Sequence, residues 1–123
     1  MEKALNITKA LSEGNRMRVI IALTTHDELC VCQITEILGL AMATVSRHMS
    51  ILQNAALVKG RKEGRWMYYR LSDTFPPLLL QWLRNSLCNA NEIKKDEKML
   101  KKIVSCGRDE LRKTQRQRKT CGT

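Results

Sequence analysis

Two cysteines one residue apart, Cys30 and Cys32 in Glu28-Leu29-Cys30-Val31-Cys32-Gln33-Ile34, are the residues of this 123-residue chain whose type and spacing point most directly to chemistry. Thiolate sulfur is a soft donor, so a close pair suits soft ions such as As(III), Sb(III), Cd(II) or Pb(II). The pattern places both at the head of a helix, where the positive end of the dipole favours thiolate. On a regular helix, positions i and i+2 point to nearly opposite faces. One ion can therefore take both sulfurs only if the helix start unwinds or stays non-helical, which makes ion capture a conformational event. The plain alternative is two small buried hydrophobes, since free cysteine is often core. A second alternative is an oxidant sensor working by disulfide or sulfenate chemistry. A thiol oxidoreductase is not expected: the spacing is not Cys-x-x-Cys, no strand-helix-strand pattern surrounds it, and no acid/base or nucleophile set accompanies it. The chain reads as a non-enzyme.

The elements that must position this pair are legible as periodicities. Residues 2–12 read as a short helix with Ala4, Leu5, Ile7 and Leu11 apolar, broken by Gly14 and Asn15. A second helix covers 16–25, with Met17, Val19, Ile20, Ile21 and Leu23 inward. A third runs from about Cys30 to Leu38 and stops at Gly39 in a left-handed residue. The turn Gly39-Leu40-Ala41 leads to a fourth helix at about 42–54, where Val45, Met49 and Leu52 make a buried stripe. Two helices across a short Gly-containing turn, the second polar and basic outside, form a helix-turn-helix pattern.

Leu57–Arg61 and Arg65–Leu71 around Lys62-Glu63-Gly64 read as a hairpin with a basic tip, a wing. Asp73 and Thr74 are positioned to cap a helix over about 77–88, with Pro76 and Pro77 in its first turn or the loop before it. Leu78, Leu79, Leu80, Trp82, Leu83 and Leu87 cover more than one face of that helix, which suggests dimerisation. A last helix is expected over 91–106, with Ile93, Leu100, Ile103 and Val104 apolar. The fold class is mainly α with a β-hairpin wing: one winged helix-turn-helix domain over 1–106, dimeric through its terminal helices, and a basic, disordered tail over 107–123.

The formal charge of +10 is concentrated. Residues 1–40 carry four Lys/Arg against five Asp/Glu, whereas residues 41–70 carry six against Glu63 alone. An excess confined to one helix and one hairpin is the footprint of nucleic-acid binding. On the helix, Thr44, Ser46, Arg47, His48 and Ser50 lie largely off the buried stripe and are the candidate base or phosphate contacts. His48 alternatively serves helix packing. On the wing, Arg61, Lys62 and Arg65 are the candidate contacts to phosphate or the minor groove. Trp66, Tyr68 and Tyr69 fit hairpin core better than base stacking. No stretch approaches the roughly 20 apolar residues of a membrane span, and the N-terminus lacks the apolar block of a signal peptide. A cytoplasmic location is expected, and five cysteines there suit ligands or reduced thiols over disulfides.

Together these pieces resemble the ArsR/SmtB family of metal- and metalloid-responsive repressors. The residues that carry the resemblance are Glu28-Leu29-Cys30-Val31-Cys32-Gln33-Ile34, Val45-Ser46-Arg47-His48-Met49-Ser50-Ile51-Leu52, Leu57-Val58 and Gly64-Arg65-Trp66-Met67-Tyr68-Tyr69-Arg70-Leu71, in order and at the family's spacing, within residues 3–90. The resemblance implies a homodimer that holds double-stranded operator DNA when ion-free and releases it when an ion binds. A Leu-Cys-Val-Cys site implies As(III) or Sb(III) as inducer, or Cd(II)/Pb(II) in another branch, with no obligatory cofactor. Arsenite sensors of this type carry a third cysteine three residues after the second, where this chain has Thr35. A third thiol would then come from Cys88, Cys106 or Cys121, or the pair suffices with a solvent or exogenous ligand, or a methylated arsenical is the inducer. Cd/Pb sensors recruit cysteines from an N-terminal arm, and residues 1–29 contain none. The family's zinc and nickel sites use Asp and His on the C-terminal helix, but the two histidines are His26 and His48. The expected mechanism is that As(III) pulls the two sulfurs together and distorts the first turn of a regular third helix. The paired recognition helices, about 34–36 Å apart on the operator, then lose register.

Overall fold

The computed structural model describes residues 1–104. Cys106, Cys121 and the tail from Gly107 onward lie outside the described residues. Six helices and three strands follow in the order α1 (Glu2–Leu11), α2 (Gly14–Thr25), β1 (Leu29–Cys30), α3 (Val31–Leu38), α4 (Met42–Asn54), β2 (Val58–Glu63), β3 (Trp66–Leu71), α5 (Pro77–Leu87) and α6 (Asn91–Val104). The strands form one antiparallel sheet in the order β1-β3-β2.

Helix α2 begins two residues earlier than periodicity suggests. Glu13 is its N-cap, and its carboxylate accepts the Arg16 N–H at 3.1 Å. A carboxylate at the positive end of the dipole compensates for Gly14 inside the first turn. Helix α3 ends as expected at Gly39, which adopts φ +66°. In the hairpin, pairing extends to Glu63 opposite Trp66, so the turn is Gly64-Arg65, one residue later than the sequence pattern suggests. Gly64 takes φ +62°, the left-handed residue that a two-residue hairpin turn demands. The expected capping of α5 by Asp73 and Thr74 is not what forms. Pro76 is the N-cap and Pro77 opens the helix, and Pro77 has no N–H to cap. Asp73 instead pairs with Lys59 and Arg70, and the Thr74 hydroxyl donates to the Ala56 carbonyl at 3.2 Å.

The core gathers Val19, Ile20, Ile21 and Leu23 of α2, Ile34, Ile37 and Leu38 of α3, and Val45, Met49 and Leu52 of α4. Tyr68, Tyr69 and Leu83 join it, as do Ile93, Leu100 and Ile103 of α6. One charged residue sits among them. Asp96, between Ile93 and Leu100 on the inner stripe of α6, is 5% exposed. It accepts two hydrogen bonds from Arg18 at 2.7 and 2.8 Å, and Arg18 also donates to the Ile37 carbonyl at 2.8 Å. Asp96 raises the Arg18 pKa through that hydrogen bonding, against the opposing effect of burial. Among the described residues, no helix is long and apolar enough to cross a membrane.

Candidate thiol site and nucleic-acid interface

Cys30 closes the two-residue strand β1 and is at the same time the N-cap of α3, with φ −71° and ψ 149°. Its backbone is extended because β1 pairs with β3, Leu29 opposite Tyr69 and Cys30 opposite Tyr68. Cys32 lies one residue into the helix. This change of conformation between the two positions cancels the opposition that a regular helix would impose. The Cys32 thiol donates to Cys30 Sγ at 3.0 Å, and both residues are fully buried. The Gln33 side chain reaches back to accept the Cys30 N–H at 2.8 Å, fixing the helix start.

Of the two routes that geometry allows a shared ion, the structure takes the second: the helix start is already non-helical at Cys30. The expectation that an ion must draw separated sulfurs together from a regular helix is therefore corrected. With metal–sulfur bonds of about 2.3 Å, as zinc makes, two sulfurs on one ion stand roughly 3.3–3.8 Å apart, so sharing an ion would require the 3.0 Å contact to open by about 0.3–0.8 Å. The Cys32 pKa is raised, first by its hydrogen bond to Cys30, then by burial and by the Cys30 charge. The backbone N–H groups of Cys32 and Gln33 act in the opposite direction. The pair is thus stored with a proton on Cys32.

Thr35, at the position of a third cysteine, is buried, and its hydroxyl donates to the Val31 carbonyl at 2.7 Å. Cys88 is exposed at the C-cap of α5. Among the described residues, no group of three His, Cys, Asp or Glu side chains is arranged to hold one ion, so Cys88 is not brought to the pair.

Helix α3 packs on α4, and α4 packs on β2. At about 100° per residue, Arg47 and Ser50 fall opposite the Val45-Met49-Leu52 stripe, and Thr44, Ser46, Arg47 and Ser50 are all exposed. His48 is placed differently. Its Nδ1 accepts from Arg16 at 3.1 Å, and its Nε2 lies 3.9 Å from the Glu13 carboxylate. Arg16 also donates to the Ala10 carbonyl at 2.6 Å, so His48 joins α4 to the α1–α2 junction. On the wing, Lys62 and Arg65 are exposed, with Arg65 lying over the Trp66 ring. Arg61 is turned back into the protein: Nε and Nη2 donate to the two Glu28 oxygens at 2.7 Å each, and Nη1 donates to Glu63 at 3.0 Å.

Sequence reasoning passed over Glu28, Arg18 and Asp96. A signal existed for the last: an aspartate in an otherwise apolar 93-96-100-103 stripe announces a buried charge that needs a partner. Glu28 carried no such signal, because its partner is 33 residues away.

A two-helix reading unit followed by a β-hairpin, with a third strand supplied from before the unit, defines a winged helix-turn-helix protein. Residues 14–59 match the family model described as bacterial regulatory protein, arsR family. The arsenic resistance transcriptional regulator ArsR2 of Pseudomonas putida is 30% identical over 82 residues, 67% of this chain and 71% of that protein. The chain belongs to the arsR family. The cadmium resistance transcriptional regulatory protein CadC homolog of Staphylococcus aureus is 40% identical over 67 residues, 54% of this chain and 55% of that protein. The chain spans just over half the length of several curated relatives. Among solved structures, HlyU from Vibrio cholerae N16961 superposes with a TM-score of 0.64 at 28% identity, covering 72% of this chain and 95% of that one.

Proposed function

We propose that this protein is a homodimeric transcriptional repressor that binds operator DNA when ion-free and lets it go when Cys30 and Cys32 capture As(III) or Sb(III). The observation that carries this reading is the buried Sγ–Sγ contact of 3.0 Å at the N-cap of the helix that packs on α4. Two thiols held together in a dry site favour a thiophilic ion over a hard one such as magnesium, and among the described residues no third His, Cys, Asp or Glu joins them toward a four-ligand zinc site. The exposed Thr44, Ser46, Arg47 and Ser50 form the groove-reading face, with Lys62 and Arg65 adding phosphate contacts from the wing. Leu78 and Trp82 of α5, 81% and 59% exposed, and Leu5 of α1, 48% exposed, supply the apolar faces through which two copies pair.

The relatives include both arsenic and cadmium regulators, so ion preference is decided by experiment. The test is fluorescence anisotropy of the reduced protein on its upstream DNA, titrated with As(III), Sb(III), methylarsenite, Cd(II) and Zn(II). Release by trivalent arsenic and not by zinc, lost in Cys30→Ser and Cys32→Ser, is the expected result. Release by Cd(II) alone would move the protein to the cadmium class. The same sulfur contact supports a second reading, oxidation of the pair to a disulfide by a peroxide, with two electrons and two protons passing to the oxidant as water forms. A peroxide response without any metalloid response would favour that reading.

A further inference from the structure

The wing and the thiol site share one row of the sheet. Cys30 of β1 stands opposite Tyr68 of β3, and Tyr68 stands opposite Arg61 of β2. Residues directly opposed across antiparallel strands project to the same face and interact as neighbours. The Arg61 guanidinium lies 4.5 Å from the centroid of the Tyr68 ring and crosses it to reach Glu28, two residues before Cys30. Both Glu28 oxygens are engaged, each at 2.7 Å. The contacts therefore close a ring: Cys30, Tyr68, Arg61, Glu28 and, through Leu29, Cys30 again.

We propose that the Glu28–Arg61 pair is the coupling element that reports the state of the Cys30–Cys32 site to the wing, with Arg61 a positioning residue and not a phosphate contact. This rests on the release function proposed above and gives it a route. Strand β1 is two residues long and lies at the sheet edge, so a shift of Cys30 meets little resistance from the ladder. Arg61 lies only three residues before the turn at Gly64, with Lys62 and Glu63 between. When the sulfurs part to admit an ion, Glu28 moves with β1, and the planar fork of Arg61 loses its match to the carboxylate. The hairpin tip then shifts, carrying Lys62 and Arg65 away from the phosphates.

Two physical points separate this role from a merely stabilising one. Exposed ion pairs contribute little to stability, and the Arg61 and Glu28 side chains are 51% and 28% exposed. A bidentate fork is specific in geometry, so lysine is no substitute for arginine at this position. Every guanidinium nitrogen of Arg61 is donated to Glu28 or Glu63, so in this cluster its fork is already occupied by carboxylate. Such a cluster is a poor docking point for phosphate.

The experiment compares Glu28→Gln, Arg61→Gln, Arg61→Lys and Lys62→Gln with the parent, each checked for native helix content by circular dichroism. Two quantities are read: the ratio of operator Kd with and without saturating As(III), and the slope of log affinity against log salt for the ion-free protein. A parent ratio in the usual range for such coupling is about 5–150-fold. In Glu28→Gln, Arg61→Gln and Arg61→Lys we expect that ratio to fall at least about threefold, toward one, a fraction of the ordinary coupling range. Their salt slopes stay at the parent value, whereas Lys62→Gln removes one phosphate contact per protomer and lowers the slope by about 1.8 for the dimer. An unchanged ratio in Glu28→Gln, or a slope in Arg61→Gln that falls as it does in Lys62→Gln, overturns the proposal. A parent ratio of one would bring down the release function itself, and the coupling with it. A parent ratio well above one, unchanged in the variants, would bring down the coupling alone.

Discussion

The two ends of α3 are held in opposite ways. At its C-terminus, Gly39 closes the helix in the left-handed region, and Arg18 ties the Ile37 carbonyl to the buried Asp96 of α6. At its N-terminus a sulfur stands where an oxygen cap usually would, on a two-residue edge strand whose outer brace is a partly exposed ion pair. Charge buried in the core makes the first end costly to disturb. The second end is built from contacts that are individually weak. A helix anchored at one end and loosely held at the other pivots when the loose end is changed, and the loose end is where both thiols lie.

Breaking the anchored end should have the largest effect. Asp96→Ala leaves Arg18 without its carboxylate in a site that is 23% exposed on the arginine side, and we expect a loss of about 3 kcal/mol. Thermal unfolding at fixed protein concentration should show this as a drop of roughly 10 °C, given about 3–5 °C per kcal/mol for a chain of this size. A shift below about 2 °C, under 1 kcal/mol on the same scale, would mean the two ends are not held differently.

At the loose end, Cys32→Ser should cost little stability but remove the whole As(III) effect on operator affinity, about 1–3 kcal/mol of coupling. Retained release in that variant would move the site elsewhere. The thiol proton offers a sharper test. Because the folded protein raises the Cys32 pKa above its ordinary 9.0, the folded state holds that proton more tightly than the unfolded chain does. The thiol's contribution to stability is therefore complete below pH 9 and lost as pH rises beyond it. Denaturant melts between pH 8 and pH 10.5, run about these reference values, should show an alkaline loss in the parent that Cys32→Ser lacks. Alkylation at neutral pH, followed by peptide mass spectrometry, should label the exposed Cys88 well before Cys30 or Cys32.

The smallest effect belongs to a turn outside both ends. Ala56 takes φ +60° after α4, where a side chain is disfavoured. Ala56→Gly should stabilise by no more than about 1 kcal/mol, because relief of strain is offset by glycine's greater freedom when unfolded.

Much of this was readable from residue order. The inner stripes of α3 and α4, the Gly39 stop and the hairpin follow from local periodicity and turn chemistry, and the structure places them within a residue or two of expectation. The thiol pair was legible as chemistry but not as geometry. A helix rule separates Cys30 from Cys32, and only the pairing of Leu29-Cys30 with Tyr68-Tyr69, some 40 residues on, makes Cys30 extended. The same limit hid the side-chain contacts of Arg61 and His48. Both are polar side chains on elements expected to meet DNA, and both are claimed by partners distant in sequence, Glu28 and Arg16. Local pattern reveals which faces exist, whereas long-range pairing decides which polar groups on them remain available.

The most direct test of the central claim, that the ion is taken at a preassembled pair without unwinding α3, is amide hydrogen exchange by NMR on the reduced protein before and after one equivalent of As(III) per chain. We expect perturbation confined to residues 28–32 and to the Arg61–Tyr68 row, with the amides from Thr35 to Gly39 as protected as before. Loss of protection along α3 while the wing stays unchanged would contradict the account.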